Sequence, residues 1–236
     1  MNKENVTIAE RQCTVYSARS PACLLIQPSG AHENETLQNE IRHIAKLTDL
    51  PFMFAAFEIK NRNTELSPWE AAPVFGDEPF GSGAKETLDL IEKELIPKLT
   101  ERYQLDRDIP VILGGYSLAG LFSLWAGYTS NRFSAAAAVS PSVWFHGWLG
   151  YIAQNLPLCD NIYLSLGRKE EKTRNKVMAT VGGNIRRQYE LLKENGTNTV
   201  LEINNGDHFT EPELRTAKGF AWCIKESAGG KLKDHH

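Results

Sequence analysis

In VILGGYSLAGLFSLWAG, residues 111–127, one serine stands between glycines, after a short apolar run and before a longer one. VILGG has the continuous apolar character of a strand covered on both faces, and LAGLFSLWAG that of a buried helix. Where a strand turns directly into a helix, the corner residue is forced into a strained conformation that lifts its side chain off the sheet. Ser117 is that residue. Its neighbours two positions away must be small, because the two backbones pass close together, and Gly115 and Ala119 satisfy this, with Gly120 following. The usual elbow signature is G-x-S-x-G, and here alanine takes the place of the second glycine, which is shifted by one. The chemistry this suits is nucleophilic attack on an acyl carbon. The backbone N–H of Leu118, at the start of the helix, could then face a developing oxyanion.

A serine hydroxyl is a weak nucleophile, so it needs a base to take its proton and an acid to orient that base. In chains built on such an elbow the acid and the histidine follow the serine, on loops after later strands. Of six histidines, His32 and His43 precede Ser117, His146 follows too closely, and His235 and His236 are terminal. His208 remains, in NNGDHFTEPEL, between the last expected strand and the last expected helix. The acid should follow the strand IYLSLG, where Glu170 and Glu171 compete within RKEEKTR; Asp207 adjoins the histidine and ranks third, because neighbouring side chains diverge. A second oxyanion donor is expected after the early strand ACLLIQP, where the Ser-Gly turn leaves the N–H of Ala31 able to point at the substrate.

The elements that must carry these residues follow from the hydrophobic pattern. Apolar runs at 12–18, 22–28, 52–58, 110–115, 135–140, 162–167 and 198–203 alternate with segments of helical period, which is the pattern of an α/β chain with a mostly parallel sheet. Leu37, Ile41, Ile44 and Ala45 share one helix face, and Leu88, Ile91, Leu95 and Leu99 another, with Pro97 expected to kink or end that helix. Further helices are expected at 118–128, 175–194 and 212–226. With 236 residues, 42% of them hydrophobic, and no linker or charge block, one domain over residues 1–236 is expected.

Two segments break the alternation. Residues 60–83 form a connection longer than the roughly 12–15 residues beyond which loops tend to carry function, and they contain Trp69, Phe75 and Phe80. SPSVWFHGWLG places Trp144 directly after a strand, where α/β crevices lie. Trp69, Tyr116 and Trp144 are therefore expected to contact substrate. A net charge of −3 without a basic stripe argues against nucleic acid, and no apolar run is long enough for a membrane span. No secretory leader is visible, so a cytoplasmic location is expected. The four cysteines form no C-x-x-C pair, so free buried thiols are expected, with neither disulfides nor a metal.

NRNTELSPWEAAPVFG, GGYSLAGLFSLWA, SPSVWF, LSLGRKEEKTRN and GDHFTEPELRTAKGFAW together resemble the putative-esterase family of α/β-hydrolases, which includes enterochelin-type siderophore esterases and S-formylglutathione hydrolases. The resemblance spans nearly everything from residue 22 to 225. It implies the α/β-hydrolase fold and a Ser/acid/His triad that hydrolyses a small-molecule carboxylic ester through an acyl-enzyme, without cofactor or metal. It selects Glu170, three residues past the glycine that ends the strand, and it favours Ala31 through the Ser29-Gly30 pair. Two other readings keep the fold: acyl transfer to an alcohol other than water, as in related mycolyltransferases, and a binding module without chemistry.

Overall fold

The computed structural model describes residues 1–30 and 34–229. Eight strands, β1 (Asn2–Ile8), β2 (Arg11–Ser17), β3 (Cys23–Ser29), β4 (Phe52–Glu58), β5 (Val111–Tyr116), β6 (Ala135–Val139), β7 (Asn161–Gly167) and β8 (Asn198–Asn204), form one sheet in the order β1-β2-β4-β3-β5-β6-β7-β8. β1, β2 and β4 pair antiparallel; the pairs from β4 through β3 to β8 are all parallel. This is the α/β-hydrolase arrangement that the sequence implied.

The parallel strands are apolar throughout because alternate residues feed two cores. Leu24, Ile26, Met53, Ala55, Val111 and Leu113 point to one face; Leu25, Phe54, Ala56 and Ile112 point to the other. Helices α1 (Asn34–Leu47) and α8 (Pro212–Gly229) close the second face, where Ile41 and Ile44 meet Phe220 and Ile224. The first face is covered by α3 (Ala84–Leu90), α4 (Ile96–Tyr103), α5 (Leu118–Thr129) and α7 (Val181–Glu194). Between α1 and these lies the short α2 (Arg62–Glu65), and α6 (Trp148–Gln154) precedes β7. The alanine run of β6 lets helices approach from both sides. A methyl group on Gly114 of β5 would lie 2.6 Å from the Phe220 ring.

Observed strand limits lie within one residue of those expected. The expected kink at Pro97 is replaced by a widened turn, Ile91–Leu95, that runs from α3 into α4 without a break, with Pro97 in the first turn of α4. The widening gives the proline ring the room that a regular helix would deny it. The expected helix at 175–194 becomes a turn of 3₁₀ helix, Met178–Thr180, followed by α7. β1 and α6 were not anticipated. Among the described residues, no helix is long and apolar enough to cross a membrane.

Candidate active site

Ser117 occupies the corner between β5 and α5 with φ 61° and ψ −119°, a conformation L-residues rarely adopt and that costs on the order of 1–3 kcal/mol. The surroundings hold it there. Its N–H donates to Val139 O at 3.0 Å, and its carbonyl accepts from Leu121 N at 3.0 Å and Ser142 N at 3.1 Å. The small residues are needed for close approach: a Cβ on Gly115 would sit 2.5 Å from Ala119 Cβ, and one on Gly120 would sit 3.0 Å from the carbonyl oxygens of both Gly115 and Val139. Alanine in place of the second glycine is thus accommodated because glycine follows it at the tighter contact. Leu118 is the first residue of α5, so its N–H has no acceptor within the helix.

His208 lies in the loop between β8 and α8. Its Nε2 is 3.0 Å from Ser117 Oγ, and its Nδ1 is 2.7 Å from Glu170 Oε2. Glu170 opens a short 3₁₀ turn after β7 and is buried. Its other oxygen, Oε1, accepts the Gly167 N–H at 2.7 Å, the Ser140 hydroxyl at 2.8 Å and Arg215 Nη1 at 3.1 Å. Burial by itself pushes this carboxyl up. The His208 hydrogen bond and charge, the Gly167 N–H and the Ser140 hydroxyl outweigh it, so the pKa falls below the usual carboxylate value. A carboxylate ionised in this way favours the Nδ1–H tautomer of His208 and leaves Nε2 as an acceptor facing the serine.

The competing acids point elsewhere. Glu171 pairs with Arg186 of α7 at 2.7 Å and packs over Gly182. Asp207 accepts the N–H of Phe209 and the hydroxyl of Thr210, both at 3.0 Å, and so shapes its own turn. Ala31, expected to give the second oxyanion N–H, lies outside the described residues.

Beside the imidazole is a cavity of about 450 Å³, lined by Trp144, Met178, Val181 and Phe209 with Lys169, Lys172, Asp207 and His208. Trp144, expected at a binding surface, is here. Trp69 is not among the lining residues: it packs on Phe145, Trp148 and Tyr151, and its Nε1 donates to His146 O at 2.8 Å. Tyr116 also lies outside the lining. Its hydroxyl donates to His208 O at 2.8 Å and accepts from Arg215 Nη1 at 3.0 Å. Tyr116 ends β5 and Trp69 lies in the segment after α2; the aromatic cluster takes up Trp69, and the histidine loop takes up the Tyr116 hydroxyl.

Four residues at or around the site were missed in the sequence. Arg62 of α2 donates to the Tyr116 carbonyl at 2.8 Å, bracing the elbow from the long segment 60–83. Ser140 and Arg215 hold Glu170, and Phe209, 86% exposed, stands at the cavity mouth. Arg215 had a legible signal: it falls four residues before Gly219 and eight before Cys223, on the buried face of the last helix. Among the described residues, no cluster of His, Cys, Asp and Glu is arranged to hold a metal ion.

Comparison with solved structures finds the same architecture in the siderophore hydrolase EstA from Aspergillus nidulans, with a TM-score of 0.72 at 18% identity over 96% of this chain and 94% of that one. An IroE-like serine hydrolase from Shewanella oneidensis matches with a TM-score of 0.72 at 15% identity, over 99% and 81%. The enterobactin esterase FES from Shigella flexneri matches with a TM-score of 0.69 at 15% identity, over 98% of this chain and 60% of its own. At these identities the likeness is one of fold. No curated protein matches the sequence. The family model described as "Putative esterase" matches residues 51–210, a span that runs from β4 through the elbow to the histidine loop. Covering more than half of the sequence, that match settles the kinship: the chain belongs to the Putative esterase family and is a carboxylic ester hydrolase.

Proposed function

We propose that the chain is a serine carboxylesterase working through Ser117, His208 and Glu170. The observation that carries this reading is the unbroken hydrogen-bonded line from Ser117 Oγ through His208 to Glu170, built on a serine with positive φ. In the first half-reaction Ser117 Oγ attacks the ester carbonyl while His208 Nε2 takes its proton. The tetrahedral oxyanion is met by the Leu118 N–H and, in our reading, by that of Ala31. His208 then gives the proton to the departing alcohol, leaving an acyl-serine. Water, deprotonated by the same imidazole, releases the acid and restores the hydroxyl. Throughout, Glu170 keeps its charge, fixes the ring and stabilises the imidazolium.

The cavity lies on the His208 side of Ser117, where the proton passes to the leaving group, so we assign it to the alcohol portion of the substrate. Its volume is in the usual range for small-molecule sites. Trp144, Met178, Val181 and Phe209 suit an apolar or aromatic group. The fold relatives are described as hydrolases of siderophores and of enterobactin, which puts ester-linked siderophores first among the compounds to try.

Replacing Ser117 by alanine removes one oxygen from a half-buried corner, so the variant should fold normally. Hydrolysis of a simple aryl ester should fall by a factor of about 10⁴–10⁶, and labelling by a fluorophosphonate probe should disappear. Activity within tenfold of the parent, or labelling at another residue, would sink the assignment.

A further inference from the structure

We propose that Arg215 is a positioning residue of the esterase site, a single buried guanidinium that sets both the acid and the histidine loop. The inference rests on the roles given above to Ser117, His208 and Glu170.

Arg215 lies at the end of the first turn of α8 with its side chain 2% exposed. Its Nη1 donates to Glu170 Oε1 at 3.1 Å and to the Tyr116 hydroxyl at 3.0 Å; its Nη2 donates to the Asn205 carbonyl at 2.6 Å. The Tyr116 hydroxyl in turn donates to the carbonyl of His208. One planar group therefore grips the loop after β7 through Glu170 and the loop after β8 through Asn205, and reaches His208 itself through Tyr116 at the end of β5. A buried guanidinium is tolerated only when its donors are matched, and the fixed fork of arginine serves two directions at once where the lysine ammonium is a point charge.

Glu170 is faced by Ser140 after β6, the Gly167 N–H of β7, His208, Arg215 and, through Arg215, Tyr116; Lys169 and Asp207 stand on the flanking loops. Among these, Arg215 is the buried positive charge set against Oε1. It offsets part of the carboxylate's charge as felt at the imidazole, while Oε2 still accepts from the ring and orients it. Removing the charge should raise the midpoint of the acid limb. Keeping the charge but losing the fork should leave that midpoint in place and slow the chemistry.

The test uses the full chain with Arg215→Lys, Arg215→Gln and Tyr116→Phe. Hydrolysis of an aryl acetate is followed from about pH 5 to 9 alongside the rate of fluorophosphonate labelling at Ser117. Arg215→Lys should lower kcat by about 10–100-fold with KM within about twofold and an unmoved acid limb. In Arg215→Gln the acid limb should rise by about 0.5–1 pH unit, and labelling should slow in step with kcat. Tyr116→Phe should lower kcat by about 3–10-fold. Variants that melt earlier yet keep the parent's kcat, labelling rate and acid limb would overturn the inference and leave Arg215 a purely structural residue. If Arg215→Gln fails to fold, the kcat and labelling of the other two variants decide in the same way. Ser117→Ala serves as the control: if it retained turnover, the site reading itself would fall, whereas its loss beside unaffected Arg215 variants would sink only the present inference.

Discussion

Glu170 and Glu171 are chain neighbours with the same side chain, yet one is buried against His208 and the other pairs with Arg186 at the surface. Glu170→Gln should lower kcat by a factor approaching about 10⁴, because an amide holds the imidazole in the wrong tautomer; Glu171→Gln should lose little, since exposed ion pairs contribute only about 0–1 kcal/mol. The reverse ranking in steady-state assays would reassign the acid. Glu170 also bears on acid stability. Its pKa in the folded protein lies below the ordinary value of 4.5, so its contribution is present above that pH and is lost as the pH falls through the lower, folded value. Melting temperatures recorded from about pH 6 down to 3 should therefore fall less steeply for Glu170→Gln than for the parent. Parallel curves would show that the carboxylate is not held ionised by folding.

At the scale of elements, the elbow depends on how closely β5, β6 and α5 pass. A Cβ on Gly120 would press on two backbone carbonyls, which cannot swing aside as a side chain would. Gly120→Ala should therefore destabilise by about 1–3 kcal/mol, the usual cost of overpacking, and should slow Ser117 labelling as the corner shifts. Normal labelling at a normal melting temperature would show that the elbow has slack. The segment 60–83 gives a different expectation from its length alone. Trp69 anchors it to Phe145, Trp148 and Tyr151, none of which lines the cavity. Trp69→Ala should cost about 2–3 kcal/mol, less than a fully buried Trp would, with the ranking of ester substrates by kcat/KM unchanged. A reordered ranking would return Trp69 to the substrate.

Over the whole molecule, the four cysteines report on the shared core. Cys13 of β2, Cys23 of β3, Cys159 ahead of β7 and Cys223 of α8 are all free and buried. Burial raises the thiols of Cys13 to about 11 and of Cys23 and Cys159 to about 12, and raises that of Cys223 as well. A disulfide reagent needs thiolate and access, so the native protein should react negligibly at neutral pH. Because the four thiols are buried in the cores that flank one continuous sheet, all should become reactive at the same denaturant midpoint at which helical circular dichroism is lost. A subset reacting earlier would mean that part of the sheet opens on its own.

What the sequence determined by itself was whatever depends on local pattern. Strand positions were legible because a doubly covered strand must be apolar at successive residues, and the elbow because only small residues let strand and helix cross at Ser117. Chain order then isolated His208. β1 was hidden because an edge strand needs few buried side chains: in NKENVTI only Ile8 is buried, and Val6 only in part. Tertiary structure decided what depends on direction. Whether Glu170 or Glu171 turns inward is set by the nearby Gly167 N–H together with the Ser140 hydroxyl and Arg215, which lie 30 and 45 residues away, beyond any local window. Tyr116 is equally close to Ser117 in sequence under any reading, and only the packing of α8 against β5 gives its hydroxyl to His208 and Arg215 rather than to the cavity. Periodicity determines which residues are covered; the direction in which a polar side chain points is set by partners far away in the chain, because a buried charge must find its donors wherever the fold has placed them.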